Sequence, residues 1–370
     1  MSSSAPGIEE AVNAISAVDQ HAHNIRKPEA QLPFEAAFSE SYDEDVWNKQ
    51  TPHTIFYRRS LRQLDKLFGC GSSPNAIKCY RNALSLEDLT RDLLKAANLC
   101  HLLLDDGLSP EDILPWTWHN QFVPTHRILR LEDLAQTLLP QCCSLTEFEK
   151  RFVQALDQTG SEVVGFKSIA AYRGGLHVEP STSEAAVRDF SKFEGRLERS
   201  ALYSRVLYLA LEVASDRNLP VQFHTGFGDP DLRLEQSNPL HLVNLIERFA
   251  CPFVILHAGY PYTQEAGFLS SVYPNVWVDF GLALPFLSTA GMNRCLSQLF
   301  ELSPLNRLLY SSDASLIPEL YYLGSLNSRA ALSKVLVECV ENQDLTEAEA
   351  IEAAKMILCA NALSLYKLAV

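Results

Sequence analysis

The chain has 370 residues, a mass of 41.3 kDa and a formal net charge of −14, from 31 Lys and Arg against 45 Asp and Glu. That acidic balance argues against nucleic acid or an anionic membrane as a partner, since either needs a basic face to displace counterions. Hydrophobic residues at 47% and charged residues at 21% exclude a disordered chain, and the length allows a large core without disulfide or metal staples.

The opening stretch MSSSAPGIEEAVNAISAVDQ has neither a basic region nor an apolar run, so no signal peptide is expected. The first run rich in β-branched residues, Ala14 to Asp19, leads into Gln20-His21-Ala22-His23. Residues two apart on an extended strand point to the same side, so His21 and His23 can reach one metal ion. From about residue 27 to 90 the rhythm changes. HTIFYRRSLRQLDKLF and NAIKCYRNALSLEDLTRDLL read as helices, broken at Gly69 to Pro74. This predicts a helical insertion after the first strand, acting as a lid, a subunit interface or plain packing.

Second and third strands are expected near Cys100 to Leu104 and Arg127 to Leu131. Between them Trp116, Trp118 and His119 form an aromatic cluster, which either caps a pocket or packs in the core. Arg127 and Arg130 offer guanidinium forks for a carboxylate, with a structural ion pair as the simpler role, favoured for Arg130. The fourth strand, Val163 to Ile169, carries Lys167, whose amine is costly there unless paired or neutralised. Tyr172 and Arg173 follow it closely.

Strands five and six, Val221 to Phe223 and Phe253 to Leu256, end alike in His224-Thr225-Gly226 and His257-Ala258-Gly259. Glu265 follows, placed either to hold a substrate ammonium or to sit in the first turn of a helix. Strands seven and eight are expected at Val276 to Phe280 and Arg307 to Tyr310, the latter running into Ser311-Ser312-Asp313. Helical periods occupy Glu198 to Asn218, His241 to Ala250 and Asn327 to Asn342, and Thr346 to Leu368 reads as closing helices.

Strand and helix in repetition imply a parallel sheet, and eight such units close a barrel. The polar groups then fall at the C-terminal strand ends, where active sites of such barrels gather. Imidazole and carboxylate donors suit a divalent metal with an open position for water, zinc first and manganese second. The nine cysteines are scattered, with no C-x-x-C, and read as reduced thiols of a cytoplasmic protein. No repeat or linker marks a second domain, so residues 1–370 are expected to form one barrel domain. The inserted helices are compatible with a homodimer.

The order His-x-His, Lys, His, His, Asp resembles the amidohydrolase superfamily of metal-dependent hydrolases. More narrowly, VDQHAHN (18–24), GFKSIAAYRGGL (165–176), VQFHTGFGDPD (221–231), LHAGYPYTQEAG (256–267) and YSSDAS (310–315) resemble the FluG-type branch. There the amidohydrolase-related half precedes a glutamine-synthetase-like domain. The chain stops at Val370, so a free-standing enzyme is expected. The resemblance implies a distorted (β/α)8 barrel in which His21, His23 and Asp313 hold a first metal. His224 and His257 match the ligands from strands five and six, and Lys167 matches a lysine that is carboxylated where two metals are bound. One or two ions are both open.

The resemblance further implies hydrolysis of an amide or isopeptide bond of a small γ-glutamyl-type substrate. Asp313 would serve as general base and then acid, and His257 would stabilise the oxyanion. Tyr172, Arg173, Arg127, Glu265, Trp118 and His119 are the candidate substrate-binding residues. Two alternatives stand beside this reading. One is a metal-dependent decarboxylase of the same superfamily. The other is a metal-loaded regulatory protein without catalysis.

Overall fold

The computed structural model describes residues 5–369. The first four residues of the stretch read for a leader, and Val370, lie outside the described residues. Eight strands form one sheet in chain order: β1 (Ala17–His23), β2 (Leu99–Asp105), β3 (Thr125–Arg130), β4 (Val163–Ser168), β5 (Val221–Phe223), β6 (Phe253–Ile255), β7 (Val276–Asp279) and β8 (Leu308–Leu309). Each pairs in parallel with the next. Backbone hydrogen bonds bring the ends together: Gln20 N–H to Tyr310 O at 3.3 Å, Asp313 N–H to His21 O at 3.0 Å and His23 N–H to Ala314 O at 2.7 Å. The fold is the expected (β/α)8 barrel, distorted by the short strands β5, β6 and β8.

The helices between strands form where the apolar period and the caps agree. Ala201–Arg217 starts at Ser200, whose hydroxyl accepts from Tyr203 N–H, and stops at Asn218 in the left-handed region. Its apolar residues bury against the outer faces of the strands, together with Phe166, Phe223, Phe253 and Val278. Inside the barrel, Val18, Leu103, Ile128, Val254 and Leu309 pack with Ala362, Leu365 and Tyr366 of the closing segment. That segment therefore plugs the end of the barrel opposite the functional face.

The insertion contains helices Glu44–Lys49, Ile55–Phe68, Pro74–Asn82 and Leu86–Ala97, and the break at Gly69 to Pro74 is observed. Gly69 ends one helix in the left-handed region and Ser73 caps the next. Phe34, Phe38, Phe56, Tyr57, Leu61 and Leu64 give the insertion its own core, continuous with helix Glu319–Glu341. Gln63 Nε2 donates to Asn327 Oδ1 at 2.8 Å, and Arg81 Nε pairs with Glu319 Oε1 at 2.7 Å. The apolar face of the insertion is thus buried against the barrel itself. Among the described residues, no helix is long and apolar enough to cross a membrane.

Candidate active site

The site begins with a break in the register of β1. A shift between Asp19 and Ala22 against β2 changes which side chains face inward. Asp19, before it, turns away to accept from Ser312 N–H at 2.8 Å, while Gln20, within it, points into the barrel. There Gln20 receives the Tyr366 hydroxyl at 2.6 Å and gives its own N–H to Asp279 Oδ2 at 2.6 Å. After the shift, His21 and His23 face the mouth of the barrel.

Asp313 arrives through the bonds that join β8 to β1, with its backbone in the left-handed region at φ 52°. Its Oδ1 lies 3.1 Å from His21 Nε2 and 3.4 Å from His23 Nε2. One donor atom from each of these three residues lies within 4.8 Å of the others. His23 Nδ1 is 3.0 Å from the Asp105 carbonyl oxygen, which can only accept, so that nitrogen carries the proton. His23 Nε2 then directs a lone pair at Asp313 Oδ1, a buried acceptor without a hydrogen bond. Two buried acceptors facing each other at this distance call for a cation between them, so these residues fit a divalent metal.

The remaining three expected ligands surround this triad. Lys167 Nζ is 3.1 Å from His21 Nε2, and burial lowers its amine to about 8 although Asp105 and Asp313 oppose the shift. His257 Nε2 is 3.1 Å from His224 Nδ1. His257 has φ 65°, a strained backbone held by Asp279 Oδ1, which accepts its N–H at 2.6 Å. Burial, then the neighbouring Lys167 and other histidines, lowers His257 to about 3 despite the attraction of Asp313. The Asp313 carboxyl would rise with burial, but the neighbouring His257, His21 and His23 hold it well below the usual range. His257 stands behind the His224 ring, 4.5 Å between centroids, and does not line the cavity.

A cavity of about 260 Å³ opens above the triad, bordered by His23, Lys167, His224 and Asp313. Of the expected substrate-binding residues, Tyr172 and Arg173 line it, with the Tyr172 hydroxyl 2.9 Å from His224 Nε2. Arg127 does not. It stands opposite Val163, the first residue of β4, and its Nε pairs with Asp106 at 2.7 Å. Arg130, three residues further along β3 and opposite Lys167, borders the cavity instead. Glu265 falls in the first turn of helix Thr263–Val272, outside the cavity wall. His119 accepts from Ile25 N–H at 3.1 Å and its Nδ1 is 3.1 Å from Pro115 O. With both ring nitrogens engaged, and Trp118 packed edge-on against His119 and Phe122, this cluster is core rather than a cap.

Sequence reasoning passed over Asp105, which ends β2 as the histidines end β5 and β6. It also missed Asp279 at the end of β7, Glu40 and Tyr42 in the insertion, Arg196, and Asp229 and Asp231 in the GFGDPD loop. Asp105 receives Arg130 through Nε at 3.1 Å and Nη2 at 2.7 Å, while Arg130 Nη1 reaches Gly107 O at 2.9 Å. Removing the cation strands a buried carboxylate beside His23. Arg130→Met should cost about 3–5 kcal/mol in denaturant unfolding, and adding Asp105→Asn should recover part of that loss. An unchanged midpoint in the single variant would show that the pair is not needed for stability.

The GFGDPD loop depends on two glycines. Gly226 has φ 71°, and a Cβ there would lie 2.2 Å from the Tyr260 carbonyl oxygen. A Cβ on Gly228 would lie 2.1 Å from the Tyr172 hydroxyl and 2.9 Å from His224 Nε2. These positions let the loop approach the site closely enough to carry Asp229 and Asp231 to its rim.

Comparison with known proteins agrees with this geometry. The family model described as Amidohydrolase matches residues 178–368, just over half of the chain. Protein fluG of Emericella nidulans is 34% identical, with 95% of this chain aligned. The chain spans 45% of the length of that relative. A solved structure assigned as a metal-dependent hydrolase, from Lactobacillus casei ATCC 334, superposes with a TM-score of 0.86 at 27% identity, covering 97% of both chains. A uronate isomerase from Bacillus halodurans C-125 shares the fold, with a TM-score of 0.69 at 14% identity over 99% of this chain and 97% of the other. With the family model matched over more than half of its residues and a relative 34% identical along 95% of it, this chain belongs to the amidohydrolase family.

Proposed function

We propose that the chain is a metal-dependent hydrolase that cleaves an amide or isopeptide bond of a small γ-glutamyl-type molecule. The observation that carries this reading is the buried triad of His21, His23 and Asp313 at the base of a charged cavity. A divalent ion held by the triad, zinc or manganese, would supply hydroxide by lowering the pKa of water from about 15.7 towards 7 and would polarise the scissile carbonyl. His224, His257 and a carboxylated Lys167 are the residues for a second ion.

The residues of the chain supply the rest. The Asp313 carboxylate, through the oxygen not given to the ion, accepts the proton of the attacking water and passes it to the leaving nitrogen. Tyr172 stays protonated, because burial and the charges of Glu40 and Asp229 raise its phenol well above the ordinary value. Its hydroxyl lies at the cavity wall as a donor for the developing oxyanion. Arg173 has no ion-pair partner among the described residues and suits a substrate carboxylate. The γ-glutamyl assignment draws on this charged lining and on the similarity to fluG. We also propose that the protein acts in the cytoplasm, and that any self-association is through the insertion.

The test is incubation of zinc- or manganese-loaded protein with γ-glutamyl anilide and, separately, with hydroxybenzoates. Glutamate and aniline should accumulate in the first, and no carbon dioxide should be released in the second. Carbon dioxide release alone would replace hydrolysis with decarboxylation. Inertness toward a broad panel of γ-glutamyl amides would leave the regulatory reading.

A further inference from the structure

The nine cysteines are scattered along the chain, but folding brings two of them face to face at the base of the barrel. Cys100, near the start of β2, and Cys359, in the closing segment, are 259 residues apart, and their sulfurs lie 3.9 Å from each other. Both are half-buried and pack against the interior cluster of Val18, Leu103 and Leu365, at the end opposite the triad. The Cys100 S–H donates to the Ala17 carbonyl at 3.3 Å. A carbonyl only accepts, so the contact between the sulfurs runs from the Cys359 S–H to Cys100. Cys359 is fixed by its surroundings. Met356–Ala360 form a π-helical turn whose Ile357 carbonyl accepts Tyr310 N–H at 3.2 Å. Asn361, just beyond, donates to Leu305 O at 2.9 Å and Leu308 O at 2.8 Å. Close to Cys100 lies the buried guanidinium of Arg329. Among the described residues its hydrogen bonds go only to neutral oxygens, such as Ser325 Oγ at 2.9 Å, Ile15 O at 2.8 Å and Asn98 O at 3.1 Å.

We propose that Cys100 and Cys359 are a peroxide-sensitive thiol pair that oxidises to a disulfide tying β2 to the closing segment. The hydrogen bond from Cys359 and the charge of Arg329 lower the Cys100 thiol below its ordinary value, against the effect of burial. A thiolate there also gives Arg329 the counter-charge it lacks. Cys100 is therefore the attacking sulfur and Cys359 the resolving one. With hydrogen peroxide as the oxidant, the Cys100 thiolate attacks one oxygen and the O–O bond breaks. Cys100 becomes a sulfenic acid, and the hydroxide released takes up the proton that Cys100 had given up. The Cys359 sulfur then attacks that of Cys100, the S–O bond breaks, and the departing hydroxide leaves as water with the Cys359 proton. Two thiols lose two electrons, and one peroxide becomes two waters. The sulfurs close from 3.9 Å to a bond of about 2.05 Å. A thiol reductant reverses the bond by exchange. The crosslink closes a loop of most of the chain, which restricts the unfolded state and stabilises the base of the barrel. It leaves the triad at the other end untouched, so this site does not depend on the hydrolase reading.

The test is oxidation of the full chain with a small excess of hydrogen peroxide, followed by thiol titration in denaturant and peptide mapping by mass spectrometry. The nine titratable thiols should fall to seven and return to nine with dithiothreitol. The map should show Cys100 joined to Cys359 within one chain. Cys359→Ser should stop at the sulfenic acid, trapped by dimedone on Cys100, and Cys100→Ser should leave Cys359 a free thiol at the same dose. Oxidation should raise the unfolding temperature of the native chain by about 3 °C or more and leave that of Cys359→Ser unchanged. Serine is close to cysteine in size, so both variants should keep the native circular dichroism spectrum. Nine thiols surviving a dose that oxidises glutathione overturn the proposal. So does a disulfide formed between two copies or by other cysteines in its place. Oxidation of Cys359 in Cys100→Ser at the native rate would overturn the role given to Cys100. An unchanged unfolding temperature with the disulfide formed would show that it does not tie the closing segment down.

Discussion

Asn in place of Asp313 should lower turnover by about a thousandfold at saturating metal while leaving the unfolding temperature close to native. Asn keeps the size of the side chain. It also tolerates the left-handed backbone that Asp313 adopts at φ 52° better than other residues do. The backbone bond from residue 313 to the His21 carbonyl, 3.0 Å long, is independent of the side chain, so the junction of β8 with β1 survives. What is lost is an oxygen able to take a proton and give it back. Steady-state kinetics with γ-glutamyl anilide, alongside metal analysis, is the measurement. Turnover within about threefold of native would remove Asp313 from proton transfer and leave it as a ligand only.

The second large effect concerns the metal. Chelation should abolish turnover and lower the unfolding temperature, and zinc or manganese should restore both. The reason lies in the lone pair that His23 Nε2 directs at Asp313 Oδ1 across 3.4 Å. Without a cation that contact is repulsive, so an ion that binds only the folded state stabilises it by mass action. Ala in place of His23 removes one side of the contact and one donor. In that variant chelation should move the unfolding temperature little, and metal retained after dialysis should fall by at least about tenfold. A His23→Ala protein that keeps its metal and its chelator-sensitive stability would show that the ion is held elsewhere.

These two expectations rest on residues that could be read from the chain because each strand announces its own end. Val221 to Phe223 and Phe253 to Leu256 are short apolar runs stopped by a histidine, and the structure ends the strands at Phe223 and Ile255. The same rule applied more evenly would have found Asp105 after LCHLLL and Asp279 after VWV. The histidines drew attention as metal donors, and the acids were overlooked. Arg127 and Arg130 show a different limit. Both lie on β3, three residues apart, and only the register against β4 says that Arg130 rather than Arg127 stands beside Lys167. Periodicity within one strand does not reveal how far along its neighbour it sits.

His119 and Glu265 were left open between two roles for a related reason. A polar residue near a strand end is equally suited to a pocket or to a helix cap and a packed core. For His119 the choice was made by Ile25 N–H, a group from a distant segment of the chain. Glu265 went to the first turn of its own helix.

By itself the sequence determined the alternation of eight strands with helices, the helical character of the insertion with its break at Gly69 to Pro74, and the six polar groups at the strand ends. Those features are local, since apolar period, caps and glycine turns act within a few residues of one another. The tertiary structure alone decided the shift in β1 that turns His21 and His23 to the mouth, and the joining of β8 to β1 that delivers Asp313 to them. It alone laid the insertion across the cavity through Tyr42 and Asp229, and it alone paired every cavity arginine but Arg173 with an acid. Register, closure and charge pairing are relations between distant segments. Their energies exist only once the barrel has brought those segments into contact.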